Sequence, residues 1–161
     1  VLLKSFNSNG FVFYTNFNSK KGKSIDYNKF VSLNFYWKSL KRQIRIEGVV
    51  SLLDKESSDK YFDSRSFGSK VGAWASKQSE KLNDRSELLK RSKIFYEKYN
   101  NIEDNSKDIN QSAKVDRPPY WNGYLVQPLL IEFWKEMPYR LHDRVEYNKQ
   151  SSNWLSRRLY P

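Results

Sequence analysis

The stretch "RQIRIEGVVSLL", residues 42–53, alternates apolar and charged side chains over its first half. In an extended chain Ile44 and Ile46 point to one face, and the intervening Arg45 points to the other. This period of two predicts a strand with one buried face. Gly48 interrupts the pattern and indicates a bulge or the close approach of another strand.

Further strand signals lie on both sides of this stretch. A hairpin is predicted where "VLLK" (1–4) pairs with "GFVFYTN" (10–16) across the turn-forming "NSNG". "FVSLNFYW" (30–37) is apolar nearly throughout, which predicts a strand covered on both faces. Near the carboxyl end, the predicted strands are "YLVQPLLIEFW" (124–134), "YRLHDRVEY" (139–147) and "NWLSRRLYP" (153–161).

Helical signals occupy the middle of the chain. Asp54 is the expected cap of "DKESSDKYFDSR" (54–65), and Asp84 with Glu87 forms a capping-box pattern in the next helix. A shorter helix is expected to open at residues 19–21. The helix that contains Asp84 and Glu87 is expected to bury one apolar stripe, formed by Leu88, Leu89, Phe95, Tyr96 and Tyr99.

The segment 100–114 is polar and aperiodic, which predicts a mobile surface loop. The order of elements is therefore strands, a helical insert, then strands again. This order lacks a parallel βαβ rhythm and favours a mainly β protein, a single antiparallel barrel with peripheral helices. A length of 161 residues fits one domain spanning 1–161.

Composition excludes several classes of protein. The chain has no cysteine and one histidine, so disulfides and thiol chemistry are excluded and no metal site is predicted. No apolar run is long enough to span a bilayer, and the absence of cysteine permits a reducing, cytoplasmic location. The net charge of +11 leaves two partners open, nucleic acid and phosphorylated small molecules.

The single histidine lies in "RLHDR", residues 140–144. If this segment is a strand, Arg140, His142 and Arg144 line one side, which makes a basic stripe suited to an anion. The alternative is a charged edge strand that resists aggregation. No acid/base pair or nucleophile accompanies it, so either the chain is not an enzyme or a bound cofactor performs the chemistry.

Several motifs occur in the order found in one enzyme family. These are "VLLK", "FYTNFNSKKG", "FYW" with "RQIRIEG", "YFDSR" with "GSKVGAWASKQS", "PPYWNGY", "IEFW" and "RLHDR" with "RLYP". Together they cover essentially the whole chain. The sequence resembles the pyridoxine (pyridoxamine) 5′-phosphate oxidases, and "GAWASKQS" and "RLHDR" are its most specific parts.

The resemblance implies a fold, a cofactor and a reaction. The implied fold is an antiparallel Greek-key split β-barrel that binds FMN at the interface of a homodimer. The implied reaction oxidises pyridoxine 5′-phosphate or pyridoxamine 5′-phosphate to pyridoxal 5′-phosphate and reduces O2 to H2O2. Neither nucleic acid nor membrane is expected as a partner. The family also carries an N-terminal extension, so the chain is expected to be truncated relative to it.

The resemblance also implies residue roles, position by position. The residues implied for FMN binding are Val1, Leu2, Leu3, Lys4, Tyr14, Thr15, Lys20, Lys21, Gln43, Gln78, Ser79, Trp134 and Arg144. Those implied for substrate binding are Lys4, Tyr61, Arg65, Ser69, Arg140, Leu141 and His142. Of these, Lys4, Tyr61, Arg65 and Ser69 would hold the substrate phosphate. Arg140 and His142 would lie against the pyridine ring as the catalytic pair, with Asp143 turned away toward a neighbouring cation.

Three other functions stay open on the sequence. One is a related flavin oxidase that acts on another aromatic amine or a phenazine-like substrate. Another is a non-catalytic module that binds nucleic acid through its basic surface. The third is a flavin-binding relic without turnover. Lys20, where the family commonly has arginine, keeps the charge but loses bidentate binding of a phosphate.

Overall fold

A computed structural model describes residues 1–100 and 114–161. Its strands are β1 (Ser5–Asn7), β2 (Gly10–Asn16), β3 (Phe30–Trp37), β4 (Arg42–Leu52), β5 (Trp121–Lys135), β6 (Asp143–Gln150) and β7 (Asn153–Leu159). Its α-helices are α1 (Lys20–Tyr27), α2 (Lys55–Asp63), α3 (Phe67–Ala75) and α4 (Arg85–Asn100). Short 3-10 turns occupy Lys38–Leu40 and Pro138–Arg140.

The strands join in one seven-stranded sheet with the order β1-β2-β5-β4-β3, and β6 and β7 continue from β5. The pairs β1–β2, β3–β4, β5–β6 and β6–β7 are antiparallel. Because β2 lies beside β5 rather than beside β3, the order β2-β5-β4-β3 is a Greek key. The predicted antiparallel, mainly β architecture is confirmed.

The described residues form two compact units. Unit 1 comprises Val1, 14–24 and 52–123, and unit 2 comprises 2–13, 25–51 and 124–161. The predicted single domain over 1–161 stays a prediction. No helix within the described residues is long and apolar enough to cross a membrane.

Unit 1 has an aromatic core. Phe62 and Val115 are fully buried and pack with Tyr99 and Trp121. Asp54 caps α2 as predicted, since its carboxylate accepts a hydrogen bond of 2.7 Å from the Ser57 backbone N–H. This cap and this core hold α2 in place.

Unit 2 is built on the alternation seen in β4. Ile46 and Val50 are buried, and the residues between them are only partly buried or lie close to the neighbouring strand. A Cβ added to Gly48 would lie 2.2 Å from the carbonyl oxygen of Gln127, which confirms the predicted close approach. Phe13 stacks on Tyr124 at 5.4 Å between ring centroids and completes this core.

Two predictions about the strands, one about a boundary and one about burial, were wrong. The partner of β2 is Ser5–Asn7, which follows "VLLK", although the Lys4 backbone N–H still donates to Val12 at 2.9 Å. β3 alternates between partly buried and exposed residues because it is the last strand in the sheet order and has β4 as its neighbour. Its apolar composition therefore does not reflect burial on both faces within one chain.

The apolar stripe of α4 is narrower than predicted. Tyr99 is buried and Phe95 partly buried, but Leu89 is 57% and Tyr96 49% exposed. Leu89 and Tyr96 lie one position beyond the buried row, so the helix turns them toward solvent. The helix runs to Asn100, and the remainder of the predicted loop, 101–113, lies outside the described residues.

Candidate functional site

A lysine, a hydroxyl and an amide meet in unit 1. Lys21 lies in the first turn of α1 and donates hydrogen bonds of 2.7 Å to Gln78 Oε1 and 3.1 Å to Thr15 Oγ1. The Thr15 hydroxyl in turn donates to Gln78 Oε1 at 3.0 Å. Burial lowers the pKa of Lys21. Three residues implied for FMN binding are thus brought together, and the group offers a cation and polar hydrogens to an anion.

The start of α1 is set by Ser19, which is fully buried. Its hydroxyl donates to the Asn16 carbonyl at 2.6 Å and accepts a 3.2 Å hydrogen bond from the Gly22 backbone N–H. This arrangement fixes the first turn that carries Lys21, as predicted for a helix opening at residues 19–21. Lys20 is exposed on the same turn.

An aromatic stack lies beside this group in the same unit. Tyr14 stacks on Tyr61 at 4.0 Å and on Trp121 at 5.0 Å between ring centroids. The guanidinium carbon of Arg65 lies 5.0 Å from the ring centroid of Trp121 and 5.4 Å from that of Phe62. The stack therefore brings together Tyr14, which the resemblance implied for FMN binding, with Tyr61 and Arg65, which it implied for binding the substrate phosphate.

Arg65 carries a buried polar atom that lacks a partner in the described part of the chain. Its Nη1 is buried and makes no hydrogen bond to any residue in 1–100 or 114–161. Desolvation lowers the pKa of Arg65 because burial penalises the charged guanidinium. A buried cationic donor without a partner is costly, and an anionic oxygen is the group that best satisfies it. This observation fits a phosphate.

The remaining predicted residues of unit 1 lie at its surface. The Ser66 hydroxyl donates to the Ser69 hydroxyl at 2.9 Å at the start of α3, and both residues are exposed. Ser79 follows Gln78 with a φ of 72°, a left-handed conformation that only a few percent of non-glycine residues adopt. Val1 is 69% exposed.

In unit 2, His142 lies against Trp134. Their ring centroids are 4.8 Å apart with a 49° tilt. The Met137 backbone N–H donates to His142 Nδ1 at 3.3 Å. A neutral imidazole that accepts at Nδ1 carries its proton on Nε2, so His142 presents a hydrogen-bond donor at that nitrogen.

The prediction that "RLHDR" is one continuous strand was wrong. β6 begins at Asp143, and Arg140 ends the turn Pro138–Arg140. Tyr139 and Arg140 have φ values of 56° and 63°, so the backbone reverses there and strand alternation cannot relate Arg140 to His142. Arg140 and Leu141 are exposed at this turn.

The acidic and basic residues that follow point to opposite faces of β6, as predicted. Asp143 pairs with Arg158, which confirms the expected neighbouring cation. Arg144 Nε donates to Glu132 Oε1 at 2.7 Å, and Arg144 Nη1 donates to the Tyr160 carbonyl at 3.0 Å.

A cavity of about 360 Å³ opens in unit 2. Its wall includes Gln43 and Trp134, both implied for FMN binding, beside apolar side chains of Trp37, Ile44, Phe133 and Val145. Arg42, Lys135 and Asp143 add charged groups to this mainly apolar wall, and such a mixture suits a flat aromatic ring that carries polar edges. Leu2 and Leu3 are exposed at the start of the same unit.

Two residues with central contacts were not identified from the sequence. The ring of Trp121 stacks on Tyr14 and lies next to the guanidinium of Arg65. Glu132 is a carboxylate that is only 5% exposed. A single acid inside the apolar run "LLIEFW" was a usable signal for Glu132, because a buried acid requires a cation. For Trp121 the sequence offered only its place after "PPY".

Comparison with protein families identifies two regions. Residues 1–106 match the pyridoxamine 5′-phosphate oxidase family, and residues 121–161 match a region described as the pyridoxine 5′-phosphate oxidase C-terminal dimerisation region. Curated proteins called pyridoxine/pyridoxamine 5′-phosphate oxidase are similar over the whole chain. Those of Haemophilus influenzae and Neisseria gonorrhoeae are 45% and 43% identical, and the chain covers 71% of each.

Solved structures have the same fold. PhzG from Burkholderia lata, solved with tetrahydrophenazine-1-carboxylic acid, matches 99% of this chain and 72% of its own with a TM-score of 0.85 and 28% identity. A pyridoxamine 5′-phosphate oxidase-related, FMN-binding protein from Nostoc punctiforme matches 99% of this chain and 78% of its own with a TM-score of 0.71, and at 12% identity it supports the fold alone. The chain therefore belongs to the pyridoxamine 5′-phosphate oxidase family and has the split-barrel fold that the resemblance implied.

Proposed function

We propose that this chain oxidises pyridoxine 5′-phosphate or pyridoxamine 5′-phosphate to pyridoxal 5′-phosphate with FMN as cofactor. Relatives that are 43–45% identical over all 161 residues carry the oxidase name, which agrees with the predicted family, enzyme class and cofactor. The finer parts of the proposal are O2 as the electron acceptor, H2O2 as the product and a cytoplasmic location. The match to a dimerisation region supports a homodimer, and we place FMN at its subunit interface.

The observation that carries the proposal is the buried Nη1 of Arg65, which has no partner among the described residues and lies beside the ring of Trp121. A substrate that joins a phosphate to an aromatic ring would satisfy both features. Lys4, Tyr61 and Ser69 complete the proposed phosphate set. A carboxylate would also satisfy Arg65, and the PhzG structure contains a phenazine carboxylic acid, so the preference for the phosphorylated substrate comes from the oxidases that are 43–45% identical, against 28% for PhzG.

The proposed cofactor residues fit an anionic, aromatic group. Lys21, Thr15 and Gln78 would hold its phosphate, with Lys20 adding charge at the surface, and Gln43 and Trp134 would line its ring. When bound, FMN supplies the acceptor for a hydride from the substrate. The protein then has to bind, orient and exclude water, which explains why it needs no paired acid and base.

Arg140 and His142 are proposed to hold the pyridine ring. His142 offers its Nε2 hydrogen to an acceptor on the substrate, because its Nδ1 is engaged by Met137. Arg140 is held in a left-handed conformation, which costs of order 1–3 kcal/mol and is typical of functional positions. An arginine at this position can stabilise charge that changes during the reaction.

The purified protein should be tested with FMN and pyridoxamine 5′-phosphate, with formation of pyridoxal 5′-phosphate and peroxide followed separately. We expect turnover in the wild type. Arg140→Ala should lower kcat/KM at least about tenfold, the scale of one lost charged contact, and should leave the Kd of FMN within twofold. Equal losses in kcat/KM and FMN affinity would refute the role proposed for Arg140.

A further inference from the structure

Glu132 lies in the apolar part of β5 and is only 5% exposed. A buried carboxylate is tolerated when cations and hydrogen-bond donors surround it. In this structure each carboxylate oxygen of Glu132 has its own arginine. Oε1 accepts from Arg144 Nε at 2.7 Å, and Oε2 pairs with Arg45 Nη2 at 2.9 Å.

Arg144 is therefore fixed on one side of its guanidinium. Glu132 holds Nε, and the Tyr160 carbonyl accepts from Nη1 at 3.0 Å. The hydrogen bond to Glu132 is the main reason that the pKa of Arg144 is raised. Within residues 1–100 and 114–161, nothing engages Nη2 of Arg144, so that nitrogen is available to an external anion or carbonyl.

A second buried acid, Glu146, lies nearby but forms its hydrogen bonds with other residues. Glu146 lies directly opposite Glu132 in the β5–β6 register and is also 5% exposed. Its carboxylate is held by Arg157 and Asn148, at 2.7 Å and 2.6 Å. The two acids therefore have separate hydrogen-bonding partners, although the charge of Glu146 also contributes to the raised pKa of Arg144. Glu132 orients Arg144 and Arg45, and Glu146 joins β6 to β7.

We infer that Glu132 is a positioning residue for cofactor binding, because it holds the guanidinium of Arg144 with one nitrogen directed to an incoming ligand. The inference rests on the proposed function, in which Arg144 binds FMN. A fixed guanidinium loses less conformational entropy on binding than a free one. Glu132 touches neither cofactor nor substrate in this scheme and acts only through Arg144.

The test is FMN affinity, measured by quenching of flavin fluorescence in a titration of the purified protein. Glu132→Gln keeps the side-chain volume and removes the charge that holds Arg144. Glu146→Gln makes the same change in an equally buried acid of the neighbouring strand. We expect the Kd of FMN to rise about tenfold in the first variant and to stay within twofold in the second.

A double-mutant cycle with Arg144→Gln separates positioning from general loss of structure. If Glu132 acts through Arg144, Glu132→Gln should raise the Kd by less than twofold once Arg144→Gln is present. A purely structural role would add its full factor in both backgrounds. Glu132→Asp covers the case in which the Gln variant does not fold. It keeps the charge, but its shorter side chain cannot reach both arginines, so we expect a Kd about fivefold above wild type.

The outcomes are distinct. Equal weakening in Glu132→Gln and Glu146→Gln, full additivity with Arg144→Gln, or wild-type affinity in Glu132→Asp overturns the positioning role while wild-type FMN binding stands. Failure of the wild type to bind FMN overturns the proposed function itself, and the inference with it.

Discussion

Replacing Arg65 by methionine should separate substrate binding from stability. Methionine keeps only an unbranched apolar stem like that of Arg65 and loses the guanidinium, which lies 5.0 Å from the Trp121 ring and has a buried Nη1 without a described partner. If Nη1 binds the substrate phosphate, its loss removes a charge-assisted hydrogen bond of about 1.5–3 kcal/mol. We therefore expect the Kd of pyridoxamine 5′-phosphate to rise about 10- to 150-fold.

The stability effect of Arg65→Met should be small. Removing an unsatisfied buried donor relieves about 1–3 kcal/mol, and losing the cation–π contacts with Trp121 and Phe62 costs about 0.5–2 kcal/mol. These contributions nearly cancel, so the net change in unfolding free energy should stay within about 1 kcal/mol. For a chain of this size that corresponds to a shift of roughly 2–4 °C in Tm.

Arg117→Met is the matched control in the same unit. Arg117 Nε forms an ion pair of 2.6 Å with Asp59, and the Arg117 side chain is 13% exposed. Breaking this pair should cost about 2–3 kcal/mol, less than for a fully buried pair because Asp59 is 40% exposed. Tm should fall by roughly 4–12 °C, and substrate affinity should change by less than twofold.

Two measurements check these values: thermal unfolding by circular dichroism, and ligand titrations with pyridoxamine 5′-phosphate and with unphosphorylated pyridoxamine. Only the phosphorylated ligand should lose affinity in Arg65→Met. If that variant destabilises the protein as much as Arg117→Met does, or weakens both ligands equally, Arg65 is a structural residue and the reasoning fails.

Two further predictions concern charge and packing. Burial lowers the pKa of Lys21 below 10.5, and the protonated amine is the form that attracts an anion, so FMN affinity should fall as pH rises through that lowered pKa. Fluorescence titrations across alkaline pH should show this loss in wild type and a weaker one in Lys21→Arg, whose guanidinium stays charged; identical profiles would exclude Lys21 as the source. Gly48→Ala should destabilise the protein by more than about 2 kcal/mol, because its Cβ would lie 2.2 Å from the Gln127 carbonyl oxygen. Gly72→Ala in α3 meets nothing within 4 Å and should raise stability by about 0.5–1 kcal/mol; denaturant unfolding of both variants measures the contrast, which a similar loss in each would refute.

Local sequence rules predicted much of this fold because the deciding interactions lie within a few residues. Asp54 caps α2 through Ser57, three positions away. Asp84 lies at the start of α4 as predicted, but its carboxylate accepts from the Ser86 backbone N–H at 2.7 Å, whereas the Glu87 backbone N–H donates to the Asp84 carbonyl at 3.1 Å and not to its carboxylate as in a capping box. The alternation in β4 and the close approach at Gly48 were also predicted from the local sequence. Each of these features depends on one element or on one close neighbour.

Features that depend on distant contacts were not predictable in the same way. The exposure of β3 follows from its place at the end of the sheet order. The stretch "RLHDR" was wrongly predicted to be a strand throughout, because the left-handed residues Tyr139 and Arg140 reverse the chain at its start. The role of Glu132 depends on Arg45 and Arg144, which lie on two other strands. The resemblance implied a set of ligand-binding residues that includes Arg144, but not Glu132, the carboxylate that accepts a hydrogen bond from it.

The chain reversal just before β6 determines which residues can be substituted without disturbing the paired strands. The β5–β6 ladder ends at Lys135 and Asp143, and residues 136–142 project beyond it with Arg140 and His142 among them. The base of this segment is anchored separately, since the Glu136 backbone N–H donates to the Lys41 carbonyl at 3.0 Å. The two proposed contacts to the substrate ring, Arg140 and His142, therefore lie outside the paired strands, so substitutions in this short segment can alter those contacts while the β5–β6 pairing stays unchanged.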